Sequence, residues 1–192
     1  GLLQNDTDPD VGDTKTVTAI NGVAVAVGNQ ITLASGAHLT VQSGGGYRYD
    51  PSGKFETLRA GQTATDSFTY TMADGAGATS SASVTITIQG VNDAPIAKPD
   101  TFSTIQGKPV TITQPGVLAN DTDIENDSLT AVKLTDPASG TLTVNANGAF
   151  TYTPTASFVG SVTFDYRATD ETLSSTSTVT INVLPPAAPV QN

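Results

Sequence analysis

The residues of this 192-residue chain that are best suited to chemistry are carboxylates and side-chain amides. The sequence Asn-Asp-Thr-Asp stands at residues 5–8 and returns at residues 120–123. Carboxylate and amide oxygens are the ligands of hard cations, and Ca²⁺ takes about six to eight of them. The chain has no cysteine and His38 is its single histidine, so zinc and softer ions lack a ligand set. The sequence therefore predicts calcium as the bound cofactor.

Charge narrows the range of partners. The chain carries 18 acidic and 8 basic residues, for a net charge of −10. Such a surface repels phosphate backbones and anionic lipids, so neither nucleic acid binding nor direct membrane insertion is expected. No apolar stretch approaches the roughly 20 residues that span a bilayer, and no signal peptide is visible. We expect the sequence to be an interior segment of a longer extracellular protein.

Catalysis is not predicted. His38 has neither a nucleophile motif nor a second histidine beside it. Glycoside hydrolysis needs one carboxyl group held protonated in an apolar setting, whereas these aspartates stand in polar, like-charged loops. Four aromatic pairs resemble a sugar-stacking set, but their spacing of two residues predicts the core face of a strand. The pairs are Tyr47 with Tyr49, Phe68 with Tyr70, Phe150 with Tyr152, and Phe164 with Tyr166.

The elements that must position the carboxylates are strands. Residues 83–88 (Ser-Val-Thr-Ile-Thr-Ile) alternate with period two, which is the strand signature. Ser52-Gly53 and Asn147-Gly148 are turn pairs, and no segment has a helical stripe. The sequence predicts an all-β fold of two tandem Ig-like sandwich domains with Greek-key connections.

The chain also repeats itself. Leu3, Phe68 and Val84 return as Leu118, Phe164 and Val179, so the offset falls from 115 to 95 residues and the first copy carries insertions in its middle. Residues 1–3 align with residues 116–118, so the first copy lacks counterparts of residues 100–117. We therefore predict either strand exchange between molecules or a cut-down first domain. The predicted divisions are a first domain at 1–90, a linker at 91–99, a second domain at 100–184 and a Pro-rich tail at 185–192.

Two motifs resemble a known family. Residues 90–95 (Gly-Val-Asn-Asp-Ala-Pro) after a strand, followed by residues 118–123 (Leu-Ala-Asn-Asp-Thr-Asp), resemble the cadherin-like repeats of giant bacterial surface adhesins. The first copy, with residues 58–70 and Asp74, is similar to the VCBS-type variant of that repeat. The resemblance implies a calcium-stabilised extender of an RTX-type adhesin, exported by type I secretion to the cell surface. It also implies adhesion or biofilm formation, with neighbouring repeats of the same polypeptide as partners.

Alternating strand directions bring several acidic loops of the second copy to one pole, beside the linker. The resemblance matches Asn92-Asp93 to part of the cadherin linker motif and Asp121 with Asp123 to its Asp-x-Asp motif. It also raises a carboxylate from the far pole of the first domain, at Glu56 or Asp66. The predicted ligands of the second domain are Asn92, Asp93, Asp100, Asn120, Asp121, Asp123 and Asp170, with Glu125 and Asp127 as further members. The predicted ligands of the first domain are Asp6, Asp8 and Asp74, with Asp10 beside them.

Alternatives stay open at this point. The Asn-Asp-Thr-Asp motifs also suit solvated turns, because Asx residues favour turns. One domain could itself bind a surface glycan or a protein instead of acting as a spacer. An exposed aromatic or apolar patch would favour that function, and a surface of Thr, Ser and Gly would favour the spacer.

Overall fold

The computed structural model describes residues 1–10 and 12–188, and the chain divides into two compact units. Unit 1 is Gly1–Val91 and unit 2 is Asn92–Asn192. The described residues form thirteen strands and three short 3-10 turns, without an α-helix. The all-β prediction with two sandwich domains is therefore confirmed. None of the helical turns in this part of the chain is long and apolar enough to cross a membrane.

Unit 1 packs two three-stranded antiparallel sheets around one core. One sheet has the order β1-β5-β6 and the other β2-β3-β4. Its buried core includes Ile20, Leu39, Val41 and Phe68. The strands are β1 (Thr16–Ile20), β2 (Gln30–Thr32), β3 (His38–Val41), β4 (Tyr47–Asp50), β5 (Thr63–Ala73) and β6 (Thr79–Gln89).

Unit 2 has seven strands in two sheets. One sheet has the order β7-β13-β12-β9, in which β7 runs parallel to β13, and the other has the order β10-β11-β8. The strands are β7 (Asp100–Ile105), β8 (Val110–Ile112), β9 (Thr130–Lys133), β10 (Thr141–Val144), β11 (Phe150–Thr153), β12 (Gly160–Thr169) and β13 (Ser174–Leu184).

Period-two alternation explains why these segments are half-buried strands. In β12, Val162, Phe164 and Tyr166 alternate with exposed or half-buried residues and are at most 3% exposed. Across the ladder, Val179 and Ile181 of β13 are fully buried. The apolar side chains of one face thus form the core, and the hydroxyl-rich face meets water.

The two units share their strand register. Phe68 pairs with Val84 in unit 1 as Phe164 pairs with Val179 in unit 2. Tyr47 of β4 likewise occupies the place of Phe150 of β11, because each lies opposite a valine of the preceding strand. The described residues of unit 1 include no counterpart of β7 or β8, and β2 is an additional strand in the middle of the copy.

One of the aromatic predictions is wrong. Tyr47 is 49% exposed and does not lie in the core, whereas its counterpart Phe150 is 1% exposed. The reason is the neighbouring strand: Phe102 of β7 covers Phe150, and unit 1 has no such strand among its described residues. Phe68 and Tyr70 are buried, and Tyr49 is half-buried.

The segment that the sequence assigns to a linker packs on unit 2 over residues 92–99. Pro95 is fully buried. Ile96 and Thr122 exchange two backbone hydrogen bonds of 2.7 and 3.1 Å, which form an isolated antiparallel bridge. The predicted Pro-rich tail is exposed over residues 185–188, and its residues 189–192 lie outside the described residues.

Candidate metal centre

Asp121 is one of the predicted ligands in unit 2 that hydrogen bonds hold in place. It follows the 3-10 turn Gly116–Leu118, and both of its carboxylate oxygens accept from the Tyr166 hydroxyl at 2.9 Å. Its Oδ1 also accepts the backbone N–H of Lys98 at 2.8 Å. Burial raises the pKa of Asp121 above its usual value, although these hydrogen bonds oppose the rise. Asp121 thereby ties its loop to β12 and to the 92–99 segment.

Asp100, the first residue of β7, lies close enough to Asp121 for the two charges to repel each other. Its Oδ2 atom is buried and has no hydrogen-bond partner among the described residues. Burial, followed by the charge of Asp121, raises the pKa of Asp100 to about 6. Burial and repulsion therefore make the ionised form of this carboxyl group less stable than it would be in water.

Two further oxygens are buried in the same way. The Asn120 amide donates to the Pro99 carbonyl at 3.1 Å, which leaves Asn120 Oδ1 as an acceptor. Asp123 Oδ1 accepts the backbone N–H groups of Glu125 and Asp127, each at 3.1 Å. Asn120 Oδ1 and Asp123 Oδ2 are buried without a donor in the described part of the chain.

The oxygen atoms that have no hydrogen-bond donor are of the kind that binds a hard cation. Leaving a buried polar group unsatisfied costs about 1–3 kcal/mol, and native proteins contain few such groups. Three such atoms occur here. Asp100 Oδ2 lies at the first residue of β7, and Asn120 Oδ1 and Asp123 Oδ2 lie in the loop after the 3-10 turn Gly116–Leu118. All three are oxygens, and two belong to carboxylates, as calcium prefers.

Asp170 and Asn92 form the second part of the predicted set. Asp170 Oδ2 accepts from the Asn92 amide at 2.9 Å, and Oδ1 accepts the backbone N–H groups of Thr172 and Leu173. Burial alone would raise the pKa of Asp170, but the hydrogen bonds from Leu173, Asn92 and Thr172 outweigh it and lower the pKa to about 2. Asp170 is thus an ionised anchor for the 92–99 segment.

Asp93 contributes through its backbone. Its N–H donates to Glu125 Oε1 at 2.9 Å, while its side chain is exposed. Glu125, a further member of the predicted set, is 5% exposed and takes part in the contact between the 92–99 segment and the loop. The structure therefore brings Asp100 to Asp121 and Asn92 to Asp170, and the 120–127 loop connects the two groups.

Unit 1 has a different cluster. Asp8, Asp13 and Asp74 are the one set of at least three His, Cys or acidic residues in the described ranges whose ligand atoms all lie within 4.8 Å of one another. Asp8 and Asp74 are predicted ligands. Asp13 is not a predicted ligand, and the position 115 residues after it is Ser128. Asp10 is exposed, and its N–H donates to Asp8 at 2.8 Å.

Asp6, also predicted as a ligand, has other partners. Its Oδ2 accepts from the Tyr70 hydroxyl at 2.7 Å, as Asp121 accepts from Tyr166 in unit 2. The Lys15 ammonium donates to the Asp6 backbone carbonyl. The Lys15 ammonium therefore supplies a positive charge beside the acidic loop of unit 1.

The two far-pole candidates differ. Glu56 is exposed. Asp66 is buried in unit 1, where its Oδ2 accepts from Ser35 at 2.6 Å and from the Tyr49 hydroxyl at 3.0 Å. Its Oδ1 accepts the N–H of Ser67 at 2.8 Å, so both oxygens are engaged within the unit.

Comparisons with known proteins agree with this architecture. The family model described as "Bacterial cadherin-like domain" matches twice, at residues 1–90 and 92–185. A crystal structure of the first two extracellular domains of human protocadherin-24 has a TM-score of 0.50 at 13% identity, covering 94% of this chain and 85% of that chain. No curated protein matches the chain.

Two further solved structures match with lower scores. An endo-fucoidan hydrolase of glycoside hydrolase family 107 has a TM-score of 0.40 at 20% identity, covering 91% of this chain. The chain spans 24% of that hydrolase. Drosophila N-cadherin domains 1–3 have a TM-score of 0.38 at 14% identity, covering 94% of this chain and 58% of that one. With two family matches spanning nearly its whole length, this chain belongs to the bacterial cadherin-like domain family.

Proposed function

We propose that the chain is a calcium-stabilised structural segment of a bacterial cell-surface adhesin, and that it has no catalytic role. The observation that supports calcium most directly is the group of three buried, donorless oxygens of Asp100, Asn120 and Asp123. A divalent cation would supply the positive charge that these oxygens lack.

The electrostatics of unit 2 support the same proposal. Two carboxylates about 4 Å apart repel by about 4 kcal/mol at an effective dielectric of 20. Burial and, after it, the charge of Asp121 raise the pKa of Asp100, which is the direction expected if the two carboxylates repel each other. Asp100, Asn120 and Asp123 would hold the cation, with Asp121 as the adjoining carboxylate already oriented by Tyr166.

Binding would also order the 92–99 segment on unit 2. Lys98 donates to Asp121, Pro99 accepts from Asn120, and Asp93 donates to Glu125. Each contact joins this segment to the acidic loop. Extracellular modules bind calcium at about 10⁻⁴–10⁻³ M, which suits a segment that stiffens only outside the cell. We extend the proposal to an RTX-type adhesin with VCBS-type repeats, type I secretion and biofilm formation on the basis of the sequence resemblance.

The test is Asp123→Asn with calcium titrated against the melting temperature and by calorimetry. Asn keeps the Oδ1 atom that accepts from Glu125 and Asp127 but replaces the donorless Oδ2 with an amide nitrogen. At free calcium of about 100 times the dissociation constant, the wild type should gain about 2.7 kcal/mol, and the variant should lose most of that gain.

Asp136→Asn is the matched control. Asp136 is an exposed carboxylate that pairs with Lys133 and is not one of the predicted ligands. Its substitution should leave calcium stabilisation unchanged. Equal calcium responses in the wild type and in both variants would contradict the proposed site.

A second function, direct ligand binding by unit 2, is favoured by one observation. A groove of about 630 Å³ lies beside the acidic loop, with Pro115, Leu118 and Leu129 on its apolar side and Asp121 and Asp123 on its polar side. Such a mixture suits a surface glycan or a protein side chain. Glycan and protein arrays probed with and without calcium test it, and Leu129→Ser should weaken any ligand found without changing calcium affinity.

A further inference from the structure

A tyrosine of each unit reaches the Asn-Asp-Thr-Asp loop from the core. In unit 2, Tyr166 of β12 is fully buried, and its hydroxyl lies 2.9 Å from both carboxylate oxygens of Asp121. In unit 1, Tyr70 of β5 is 4% exposed, and its hydroxyl donates to Asp6 at 2.7 Å. Each aspartate is the second residue of its motif, and each tyrosine lies two residues after the core phenylalanine of its strand. The tyrosine–aspartate contact is therefore a feature of both copies of the repeat.

The Tyr166 hydroxyl has more acceptors than hydrogens. Besides the Asp121 carboxylate, it lies 3.1 Å from the backbone carbonyl oxygen of Lys98. A hydroxyl carries a single hydrogen, so it serves one of these groups at a time. Hydrogen bonds to an ionised group are roughly twice as strong as those between neutral groups. In the metal-free protein the hydrogen therefore goes to Asp121, and the Lys98 carbonyl is a second acceptor within reach.

Asp121 depends on this hydroxyl in the metal-free state. Its Oδ1 also accepts from the Lys98 N–H, whereas its Oδ2 has the Tyr166 hydroxyl as its one donor in the described part of the chain. Without the hydroxyl, Asp121 Oδ2 would join the donorless oxygens of Asn120 and Asp123 in the same loop. Each such oxygen destabilises the folded protein, because it has exchanged water for no partner. A divalent cation at this loop would offset the same negative charge.

We propose that the Tyr166 hydroxyl substitutes for the cation while unit 2 is metal-free and releases Asp121 when calcium binds. It is a positioning group, which donates to Asp121 without metal and turns to the Lys98 carbonyl once the cation neutralises that carboxylate. The inference rests on the calcium site of the proposed function. Calcium must replace a hydrogen bond that the metal-free protein already has. Tyr166 therefore stabilises metal-free unit 2 and weakens its affinity for calcium.

The experiment compares Tyr166→Phe with Tyr152→Phe in the full chain. Both tyrosines are fully buried in the core of unit 2, and phenylalanine keeps the ring that packs there. The Tyr152 hydroxyl donates to the Ser139 carbonyl at 3.0 Å, so Tyr152→Phe removes a hydroxyl whose acceptor lies outside the acidic loop. Hydrogen exchange measures the unfolding equilibrium constant of unit 2 with chelator and with saturating calcium. Calorimetry measures the Kd for calcium.

In Tyr166→Phe, the unfolding equilibrium constant should rise about fiftyfold with chelator, where a charged hydrogen bond is lost, but about fivefold with calcium, where a neutral one is lost. The thermodynamic cycle then requires a Kd for calcium that is about tenfold lower than in the wild type. Tyr152→Phe should raise the unfolding constant by the same factor in both conditions and leave the Kd unchanged.

A measurement on the wild type tests the proposal even where Tyr166→Phe does not fold. With carbon-13 at the tyrosine Cζ atoms, calcium should shift the Tyr166 resonance and leave the Tyr152 resonance in place. Equal destabilisation of Tyr166→Phe with and without calcium, an unchanged or higher Kd, or an unshifted Tyr166 resonance would overturn the proposal while the calcium site stands. A wild type that binds no calcium would contradict the proposed function and this inference with it.

Discussion

The two units carry the same strand pattern in the same register, yet they bury it to different depths. Phe68 opposite Val84 and Phe164 opposite Val179 are equivalent pairs. Val179 is fully buried, whereas Val84 is half-buried, because β7 lies beside β13 and no described strand lies beside β6. Alternation therefore specifies which face of a strand is apolar, while the neighbouring strand determines how deeply that face is buried.

The acidic loops differ in the same sense. In unit 2, the 92–99 segment and β7 pack against the loop and bury oxygens of Asp100, Asn120 and Asp123. In unit 1, the ligand atoms of the exposed Asp13 and the half-buried Asp8 lie close together. The Lys15 ammonium donates to a backbone carbonyl of the same loop. One Asn-Asp-Thr-Asp motif therefore yields two electrostatic environments, according to what packs on it.

The largest expected contrast is in the core. Phe150→Ala should destabilise unit 2 by about 3–5 kcal/mol, since it removes a buried ring between Phe102 and Phe164. Tyr47→Ala, at the equivalent place, should cost unit 1 less than about 1.5 kcal/mol because half of that side chain is already in water. Hydrogen exchange resolves the two units in one molecule. Equal costs would mean that the open edge of unit 1 is covered in solution.

A smaller contrast concerns two turn glycines with positive φ, one in each unit. Gly148 has φ +83°, and an added Cβ would lie 1.9 Å from the Pro115 carbonyl oxygen. Gly148→Ala should therefore cost about 3 kcal/mol, from left-handed strain plus a backbone displacement. Gly61→Ala, at φ +82° with open space around it, should cost about 1 kcal/mol. Urea unfolding measures both, and similar costs would show that the turn of unit 2 adjusts freely.

The strands could be predicted from the sequence more fully than the site residues. The alternation around Phe164 and Ile86 is local, so it predicts strand faces without knowledge of the fold. Asp13 could not be found in this way, because its approach to Asp8 and Asp74 is a tertiary contact that a local residue pattern does not contain. The exposure of Tyr47 was missed because it depends on a neighbouring strand and not on the strand itself.

The orphaned oxygens could not be predicted either. The sequence placed Asp100, Asn120 and Asp123 at one pole by counting strand directions. That count cannot show which oxygen atom a backbone N–H satisfies. Asp121 is already held by Lys98 and Tyr166, and Asp170 by Asn92 and its own turn. Hydrogen-bond partners of this kind come from backbone geometry, which a residue pattern does not contain.

The two units should also differ in how much calcium stabilises them, by an amount of intermediate size. At a calcium level about 100 times the dissociation constant of unit 2, that unit should gain about 2.7 kcal/mol. We expect unit 1 to bind about tenfold more weakly, because its carboxylates are more exposed and Lys15 stands beside them, so its gain should be about 1.4 kcal/mol. Hydrogen exchange followed through a calcium titration tests this order. Tighter binding by unit 1 would contradict it.

The smallest expected effect is a pH dependence of the stability of unit 2 in metal-free protein. Asp100 has a pKa raised to about 6 by burial and by Asp121, against an ordinary value of 3.8. Between these values the folded state holds a proton that the unfolded state has lost, so stability should fall as pH rises from about 4 to 6 and then level off. Because the group is partly solvated, we expect about 1 kcal/mol after allowing for screening.

The assignment of that slope to Asp100 can be isolated. Asp170, with its pKa lowered to about 2, acts in the opposite direction and only below its ordinary value of 3.8, outside this window. Asp121 has a raised pKa and adds to the slope in the same direction. Asp100→Asn should therefore flatten the profile of unit 2 without changing unit 1, which has no described counterpart of β7. Urea unfolding with chelator from pH 4 to 7 measures the difference between wild type and variant. An unchanged slope in Asp100→Asn would show that another group of the loop is responsible for the pH dependence. A stability that rises from pH 4 to 6 would contradict burial of the Asp100 carboxylate as the cause of the slope.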